Sequence, residues 1–180
     1  SNELRLAYVG RMLKSKGVHI LIKSLLSSKL QRYTLNLFGD LDYKNRDGID
    51  KQMLDSFVRD SNGKIILSGF TKSVSLELSR IDVLLSFSAR EGLPFAVLDG
   101  VNAGCVLILS DVPGHREFSS LEGVYYCKPH DLPDLLIDML KSPCNYFNFD
   151  RNARVQIANE TWGAEIVRQT IKEMYLDIMR

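Results

Sequence analysis

The chain has 180 residues, of which 45% are apolar and 25% are charged, and its formal net charge is +1. This length and composition are typical of one globular domain with a sizeable core. The near-neutral charge gives no reason to expect nucleic acid as a partner. No apolar run approaches the roughly 20 residues needed to cross a bilayer, so no membrane span is expected.

Six short apolar runs alternate with helical patterns. The predicted strands are residues 4–9, 33–38, 64–67, 83–87, 106–109 and 124–127. The predicted helices are residues 18–26, 47–59, 72–80, 94–104 and 131–140, followed by 147–159 and 161–178. Several strands are almost continuously apolar, as expected when helices cover both faces of a parallel sheet. The alternation predicts an α/β fold with a Rossmann-like, doubly wound parallel sheet of about six strands.

The first residues and the cysteines indicate the origin of the chain and its location in the cell. Ser1-Asn2, with no methionine, resembles the remnant of tag removal, so we expect a piece of a longer protein that forms one domain over residues 1–180. The cysteines Cys105, Cys127 and Cys144 are odd in number and lack CxxC spacing. They are predicted to be reduced thiols, which favours a cytoplasmic location.

A basic, glycine-flanked segment, residues 10–17, follows the first predicted strand. It contains Gly10, Arg11, Lys16 and Gly17 and precedes a helix. Folds of this class bind ligands beyond the carboxyl ends of their strands. Glycine allows a ligand to approach the backbone closely, and the start of a helix favours an anion. The segment predicts a phosphate site, with a solvated basic turn as an equally good interpretation of the spacing. The glycine pattern of a nicotinamide site is absent.

Two acids flank the start of the helix at residues 94–104. Glu91 lies in the loop before it, and Asp99 lies within a helix that is apolar almost all round and is therefore predicted to be buried. An acid there needs a partner. This layout suits a nucleoside diphosphate sugar. The two carboxylates can each bind hydroxyl groups, and the free amides of the helix start between them can bind the phosphates. The alternatives are a salt bridge from Asp99 to Arg11 or Arg90, and a solvated loop position for Glu91.

Over nearly its whole length the chain resembles the C-terminal, donor-binding domain of the retaining glycosyltransferases of family 4. Their GT-B fold has two facing Rossmann-like domains. The resemblance is carried by segments 8–17 (Gly-Arg…Lys-Gly), 37–39, 66–70, 88–99 (the Glu-x7-Glu signature) and 110–117 (Gly-x-x-Glu). Thr161-Trp162 also resembles the opening of the family's closing helix.

The resemblance implies transfer of a sugar from a nucleotide donor with retention of anomeric configuration. It implies that Arg11 and Lys16 stabilise the leaving diphosphate, that Glu91 binds sugar hydroxyls and that Asp99 binds ribose. Arg11, Lys16 and Glu91 are the predicted catalytic groups. The other donor-binding residues that it implies are Gly10, Gly39, Gly69, Phe70, Ser88, Gly92, Leu93, Pro94 and Phe95.

The expected substrate is a nucleotide-diphosphate sugar such as a UDP- or GDP-sugar, with no cofactor and no metal. The chain has no Asp-x-Asp motif, and its histidines lack metal-ligand spacing. We interpret His19 and His130 as surface residues, and His115 as a loop residue placed to touch the donor.

The chain departs from the family's pattern in two respects. Asp99 stands where the family has a second glutamate, and its side chain is shorter by one C–C bond, about 1.5 Å. The N-terminal domain, which supplies the acceptor site in the family, is not in this chain, so we expect no transfer by the chain alone. The full-length protein is expected in bacterial polysaccharide or glycolipid assembly, which is compatible with peripheral membrane association. The alternatives are a sugar-nucleotide epimerase of GT-B type and a non-catalytic nucleotide-sugar-binding module.

Overall fold

The structure, a computed structural model, describes residues 3–42, 44–163 and 166. The strands are β1 (Leu4–Val9), β2 (Tyr33–Phe38), β3 (Ile65–Gly69), β4 (Val83–Ser86), β5 (Val106–Leu109) and β6 (Val124–Tyr126). The helices are α1 (Val18–Leu26), α2 (Lys51–Asp60), α3 (Val74–Leu78), α4 (Phe95–Ala103), α5 (Pro113–Arg116), α6 (Leu132–Lys141), α7 (Cys144–Phe147) and α8 (Arg151–Trp162). A 3₁₀ turn, Lys14–Lys16, precedes α1.

All six strands pair in parallel, in the order β3-β2-β1-β4-β5-β6. This is the predicted Rossmann-like, doubly wound sheet. The order reverses between β1 and β4, and in folds of this kind the crevice at that point receives the ligand.

Two apolar cores cover the two faces of the sheet. Alternate strand residues point to opposite faces, so Leu6 packs with α1, α2 and α6, whereas Ala7 packs with α3, α4 and α8. All four residues of β5 are buried, as its uninterrupted apolar sequence predicts for a central strand. The two cores hold the carboxyl ends of the strands in fixed relative positions.

The predicted strands are confirmed to within two residues at their ends, but three of the predicted helices differ. The segment predicted as one helix over residues 147–159 is divided between α7 and α8. Asp150 caps α8 by accepting hydrogen bonds from the backbone amides of Asn152 and Ala153, at 2.9 and 3.1 Å. The helix predicted at 47–59 begins only at Lys51, because Asp50 caps it.

The prediction that Thr161-Trp162 opens a final helix is wrong. Both residues end α8, and the Trp162 ring lies 4.5 Å from the Phe118 ring, centroid to centroid. Apart from residue 166, the remainder of the predicted helix 161–178 beyond residue 163 lies outside the described residues. In the part of the chain that is described, no helix is long and apolar enough to cross a membrane.

Arg154 anchors α8 to the sheet. It is only 2% exposed, and its Nη1 donates to the carbonyl oxygen of Cys105 at 2.9 Å. The guanidinium carbon lies 4.3 Å from the centre of the Phe149 ring. Burial lowers the pKa of Arg154 to about 10. Since Cys105 immediately precedes β5, this contact ties α8 to the amino end of the sheet, opposite the loops that follow the strands.

Candidate functional site at the carboxyl edge of the sheet

The loops that follow β1 to β5 bring the predicted site segments to one edge of the sheet. Backbone hydrogen bonds continue past the strands there: the amide of Gly10 donates to Phe38, and that of Gly39 donates to Gly69, at 2.9 and 2.8 Å. The amide of Ser110 likewise donates to Ser86 at 2.8 Å. The segments after β1, β2 and β3 therefore meet at one end of the edge, and those after β4 and β5 meet beside them.

Gly39 allows the first two loops to touch. Its φ is +138°, and a Cβ atom there would lie 2.0 Å from the carbonyl oxygen of Gly10. Any side chain would therefore force the loops apart. Next to this contact is a cleft of about 470 Å³, whose lining includes Gly10, Arg11, Gly39, Phe70 and Thr71. Phe70 is 66% exposed there, so a planar apolar group could stack on its ring.

Arg11 has a fixed backbone and an open side chain. The hydroxyl of buried Tyr8 donates to the carbonyl oxygen of Arg11 at 2.7 Å. The guanidinium is largely exposed and lies 3.3 Å from a carboxylate oxygen of Asp42. Because this ion pair is open to solvent, an anion in the cleft can compete for the cation at small cost.

Lys16 and Glu91 form the most buried ion pair found among the described residues. The lysine Nζ lies 2.6 Å from Oε1 of Glu91, and the Ser88 hydroxyl donates to the same oxygen at 2.6 Å. The Glu91 side chain is only 11% exposed, so its interpretation as a solvated loop acid is wrong. A carboxylate that accepts two such bonds in a partly desolvated loop is held in one orientation.

The start of α4 faces the same edge. Pro94 precedes the helix, and no side chain caps it, which leaves the first backbone amides of α4 without intrahelical partners. Gly92 and Leu93 form the turn between Glu91 and this helix start. An uncapped start of a nine-residue helix beside Lys16 is a favourable place for an anion.

The prediction that α4 is buried all round is wrong, because one side of it is open. Phe95 is 74% exposed and Asn102 is also exposed, whereas Val97 and Val101 are completely buried. Asp99 lies half-buried on this helix, and burial raises the pKa of its carboxyl. Within the described ranges, Asp99 forms no ion pair with Arg11 or Arg90, so neither proposed salt bridge is present. Asp99 is therefore available to a ligand hydroxyl.

His115 is not where the sequence placed it. It lies in α5 and is completely buried, so it cannot touch a donor. Its Nδ1 lies 2.9 Å from the carbonyl oxygen of Ser110, and its Nε2 lies 3.1 Å from the hydroxyl of Ser86. His130 is exposed, as predicted, whereas His19 is only partly exposed. No periodicity in the sequence signals the burial of a histidine in a helix of four residues.

A second residue that the sequence did not reveal is Asp42, the partner of Arg11. It lies in a loop that folds back on the basic segment, where Asp47 accepts hydrogen bonds from the amide and hydroxyl of Ser15. These bonds lower the pKa of Asp47.

Across residues 3–42, 44–163 and 166, no group of three or more histidine, cysteine or acidic side chains is placed to hold a metal ion.

The doubly wound parallel sheet, with polar loops gathered at its carboxyl edge, defines a Rossmann-like domain. Residues 3–142 match the family model described as Glycosyl transferases group 1. The chain belongs to this family. A search of curated proteins gave no match.

Solved structures share the fold at low sequence identity. The Anabaena protein HepE in complex with UDP-glucose aligns with a TM-score of 0.83 and 16% identity, over 98% of this chain and 49% of that one. Sucrose-phosphate synthase from Thermosynechococcus elongatus gives 0.79 and 20%, over 98% and 46%. The catalytic domain of cholesterol-alpha-glucosyltransferase from Helicobacter pylori gives 0.65 and 21%, over 87% and 99%. The chain thus spans about half the length of the first two.

Proposed function

We propose that this chain is the donor-binding domain of a retaining, metal-independent glycosyltransferase of the hexosyltransferase type, and that it binds a nucleotide-diphosphate sugar at the carboxyl edge of its sheet. The observation that carries the proposal is the arrangement of Lys16, Glu91 and the uncapped start of α4 at one point of that edge. A cation and free amides suit a diphosphate, and an oriented carboxylate suits the hydroxyls of a sugar.

The two ends of the site would take the two ends of the donor. The cleft beside Gly39 and the exposed Phe70 ring suits the nucleobase, and Arg11 at its rim suits the diphosphate. Asp99 would bind the ribose directly or through a water, because its side chain is shorter than a glutamate. The UDP and UDP-glucose bound to HepE favour a UDP-sugar over a GDP-sugar as donor.

Arg11 and Lys16 would stabilise the charge that develops on the leaving diphosphate, which is an electrostatic role that needs no metal. Both cations are paired with carboxylates here, Arg11 with Asp42 and Lys16 with Glu91. On donor binding, Arg11 would leave Asp42 and pair with the diphosphate. Lys16 and Glu91 would stay paired, with Lys16 also binding the diphosphate and Glu91 the sugar.

The acceptor, and with it the transfer reaction, would require a further domain. The HepE structure is about twice as long as the stretch that this chain matches, which leaves length for a further domain in that protein. We propose that the full-length protein acts in the cytoplasm or at the inner face of its membrane, in polysaccharide or glycolipid assembly, and that this chain alone transfers nothing.

Calorimetric titration of the chain with UDP, UDP-glucose, GDP and ADP tests the proposal. We expect binding of UDP and UDP-glucose, and a loss of more than about tenfold in affinity for Arg11→Ala and Lys16→Ala, the scale of a removed charge-assisted hydrogen bond. Lys23→Ala, on the outer side of α1, is the matched control and should leave affinity unchanged. Binding by none of the four ligands at millimolar concentration would contradict the proposal and favour a module that has lost its ligand.

A further inference from the structure

The carboxylate of Glu91 is connected through hydrogen bonds to a buried residue that the proposed chemistry does not use. The Ser88 hydroxyl donates to Glu91, and the carbonyl oxygen of Ser88 accepts from the Ser110 hydroxyl at 2.7 Å. The oxygen of that hydroxyl lies 3.1 Å from Nδ1 of His115, where it accepts a share of the N–H that Nδ1 also donates to the Ser110 carbonyl oxygen. A continuous path therefore runs from the completely buried imidazole in α5 to the carboxylate at the site.

The hydrogen-bond partners of His115 determine its tautomer. The carbonyl oxygen of Ser110 can only accept, so Nδ1 carries the proton and donates to it at 2.9 Å. The unprotonated Nε2 then accepts from the hydroxyl of Ser86 at 3.1 Å. Ser86 ends β4 and Ser110 follows β5 directly. The neutral ring thus joins the carboxyl ends of the two strands on either side of the Glu91 loop.

A second, independent contact joins α5 to the same loop. A Cβ atom at Gly114 would lie 1.9 Å from the carbonyl oxygen of Gly92 and 2.5 Å from that of Glu91. The backbone of α5 therefore packs directly against the peptide groups of the loop. In addition, the hydroxyl of Tyr126 donates to the carbonyl oxygen of His115 at 2.7 Å, which fixes the backbone of α5 at a further point.

We propose that His115 is a positioning residue, which acts through Ser110 and Ser88 to hold the Glu91 carboxylate in the orientation that receives the donor sugar. The role assigned to Glu91 rests on the proposed function, whereas the mechanical link from His115 to the loop does not. His115 itself touches no substrate, because it is completely buried.

Three substitutions distinguish the contribution of the Nδ1 contact from that of the Nε2 contact. His115→Asn places an amide N–H near the position of Nδ1 and keeps the bond to Ser110, whereas His115→Gln places its amide near Nε2 and keeps only the contact with Ser86. His115→Leu removes both. If the path through Ser110 holds the loop, the asparagine variant should resemble the wild-type protein more closely than the glutamine variant does.

The first measurement needs no ligand. Amide hydrogen exchange of residues 86–92 should accelerate at least about tenfold in His115→Leu and His115→Gln, while the amides of β1 and β2 keep their rates, because a local opening differs from global unfolding. His115→Asn should restore slow exchange. Equal rates in residues 86–92 for all four proteins would overturn the proposal whatever the chain binds.

The second measurement uses UDP and UDP-glucose in calorimetry. His115→Gln should reduce the preference for UDP-glucose over UDP as much as Glu91→Gln does, and the double variant should show no further loss, which is the signature of residues that act as one unit. Additive losses, or equal losses for both ligands, would mean a general structural role and would overturn the proposal. If wild type binds neither ligand, the proposed function fails, and the exchange experiment still decides the role of His115.

Discussion

The ammonium of Lys16 and the carboxylate of Glu91 lie 2.6 Å apart, although 75 residues separate them along the chain. Lys16 follows β1 and Glu91 follows β4, and these two strands are neighbours at the point where the sheet order reverses. The proposed donor site therefore depends on the crossover topology of the fold.

Neutralising Asp42 should strengthen nucleotide binding. Asp42 competes with a diphosphate for Arg11, but an exposed ion pair contributes only about 0–1 kcal/mol. Asp42→Asn should therefore tighten UDP binding by no more than about fivefold at low salt, and less at high salt. Asp40→Asn is the matched control, since Asp40 lines the same cleft without an ion pair among the described residues. If the two variants have equal effects, the tighter binding does not come from freeing Arg11 of its ion pair with Asp42.

Gly39→Ala should be strongly destabilising. The added Cβ meets the carbonyl oxygen of Gly10 at 2.0 Å, so the loops after β1 and β2 must separate. We expect the free energy of unfolding in urea to fall by about 2–4 kcal/mol. Gly63→Ala is the control, because Gly63 also has a positive φ but open space around it. It should lose only about 1 kcal/mol from backbone strain, and a similar loss at both positions would contradict the steric argument.

The buried neutral ring of His115 predicts an acid-sensitive stability. Burial lowers its pKa, against smaller opposing contributions from Ser110 and Glu91, so the unfolded state binds a proton first as the pH falls. The stabilisation is present above the unfolded pKa of about 6.5 and is lost below it, with a slope of up to about 1.4 kcal/mol per pH unit. Urea unfolding between pH 5 and 8 measures this slope.

His115→Gln should flatten that slope. His19 contributes with the same sign, because burial and the neighbouring Lys23 and Lys14 lower its pKa, so His115→Gln removes only part of the slope. A slope that is identical in wild type and His115→Gln would show that the ring does not titrate on unfolding.

Arg154→Ala should destabilise the domain. The substitution removes the hydrogen bond to Cys105 and the contact with the Phe149 ring, and it leaves a void beside α8. We expect a loss of about 2–4 kcal/mol. Gln156→Ala, at an exposed position of the same helix, should change stability by less than about 0.5 kcal/mol. UDP affinity should be unaffected in both, because α8 is tied to the opposite end of the sheet.

The three thiols should react at different rates with a thiol reagent. Burial raises the pKa of Cys105 and of Cys127 to about 12, whereas Cys144 is exposed. The thiolate is the reactive form, so the native chain should show one fast thiol, and denaturation should release the other two. Cys144→Ser should abolish the fast reaction. A fast second thiol in that variant would show that β6 or α4 opens readily.

Local patterns sufficed for much of the fold. The runs at β1, β2 and β5 matched their observed bounds. β5 is apolar throughout because it is buried on both faces, whereas β2 alternates buried apolar residues with the partly exposed Thr34 and Asn36. The division between α7 and α8 was missed because Asp150 was not interpreted as a cap. The burial of α4 was overestimated because its apolar side at Phe95 faces the edge of the sheet instead of another element.

The sequence by itself determined which loops carry the polar groups, since the chain must reverse direction after each strand and the chemistry of Arg11, Lys16 and Glu91 stands at those reversals. Only the tertiary structure decided which of these groups meet. The pairing of Lys16 with Glu91, the capture of Arg11 by Asp42 and the burial of His115 against Ser86 and Ser110 all join residues from different loops. Such contacts depend on strand order and loop packing, which local spacing does not encode.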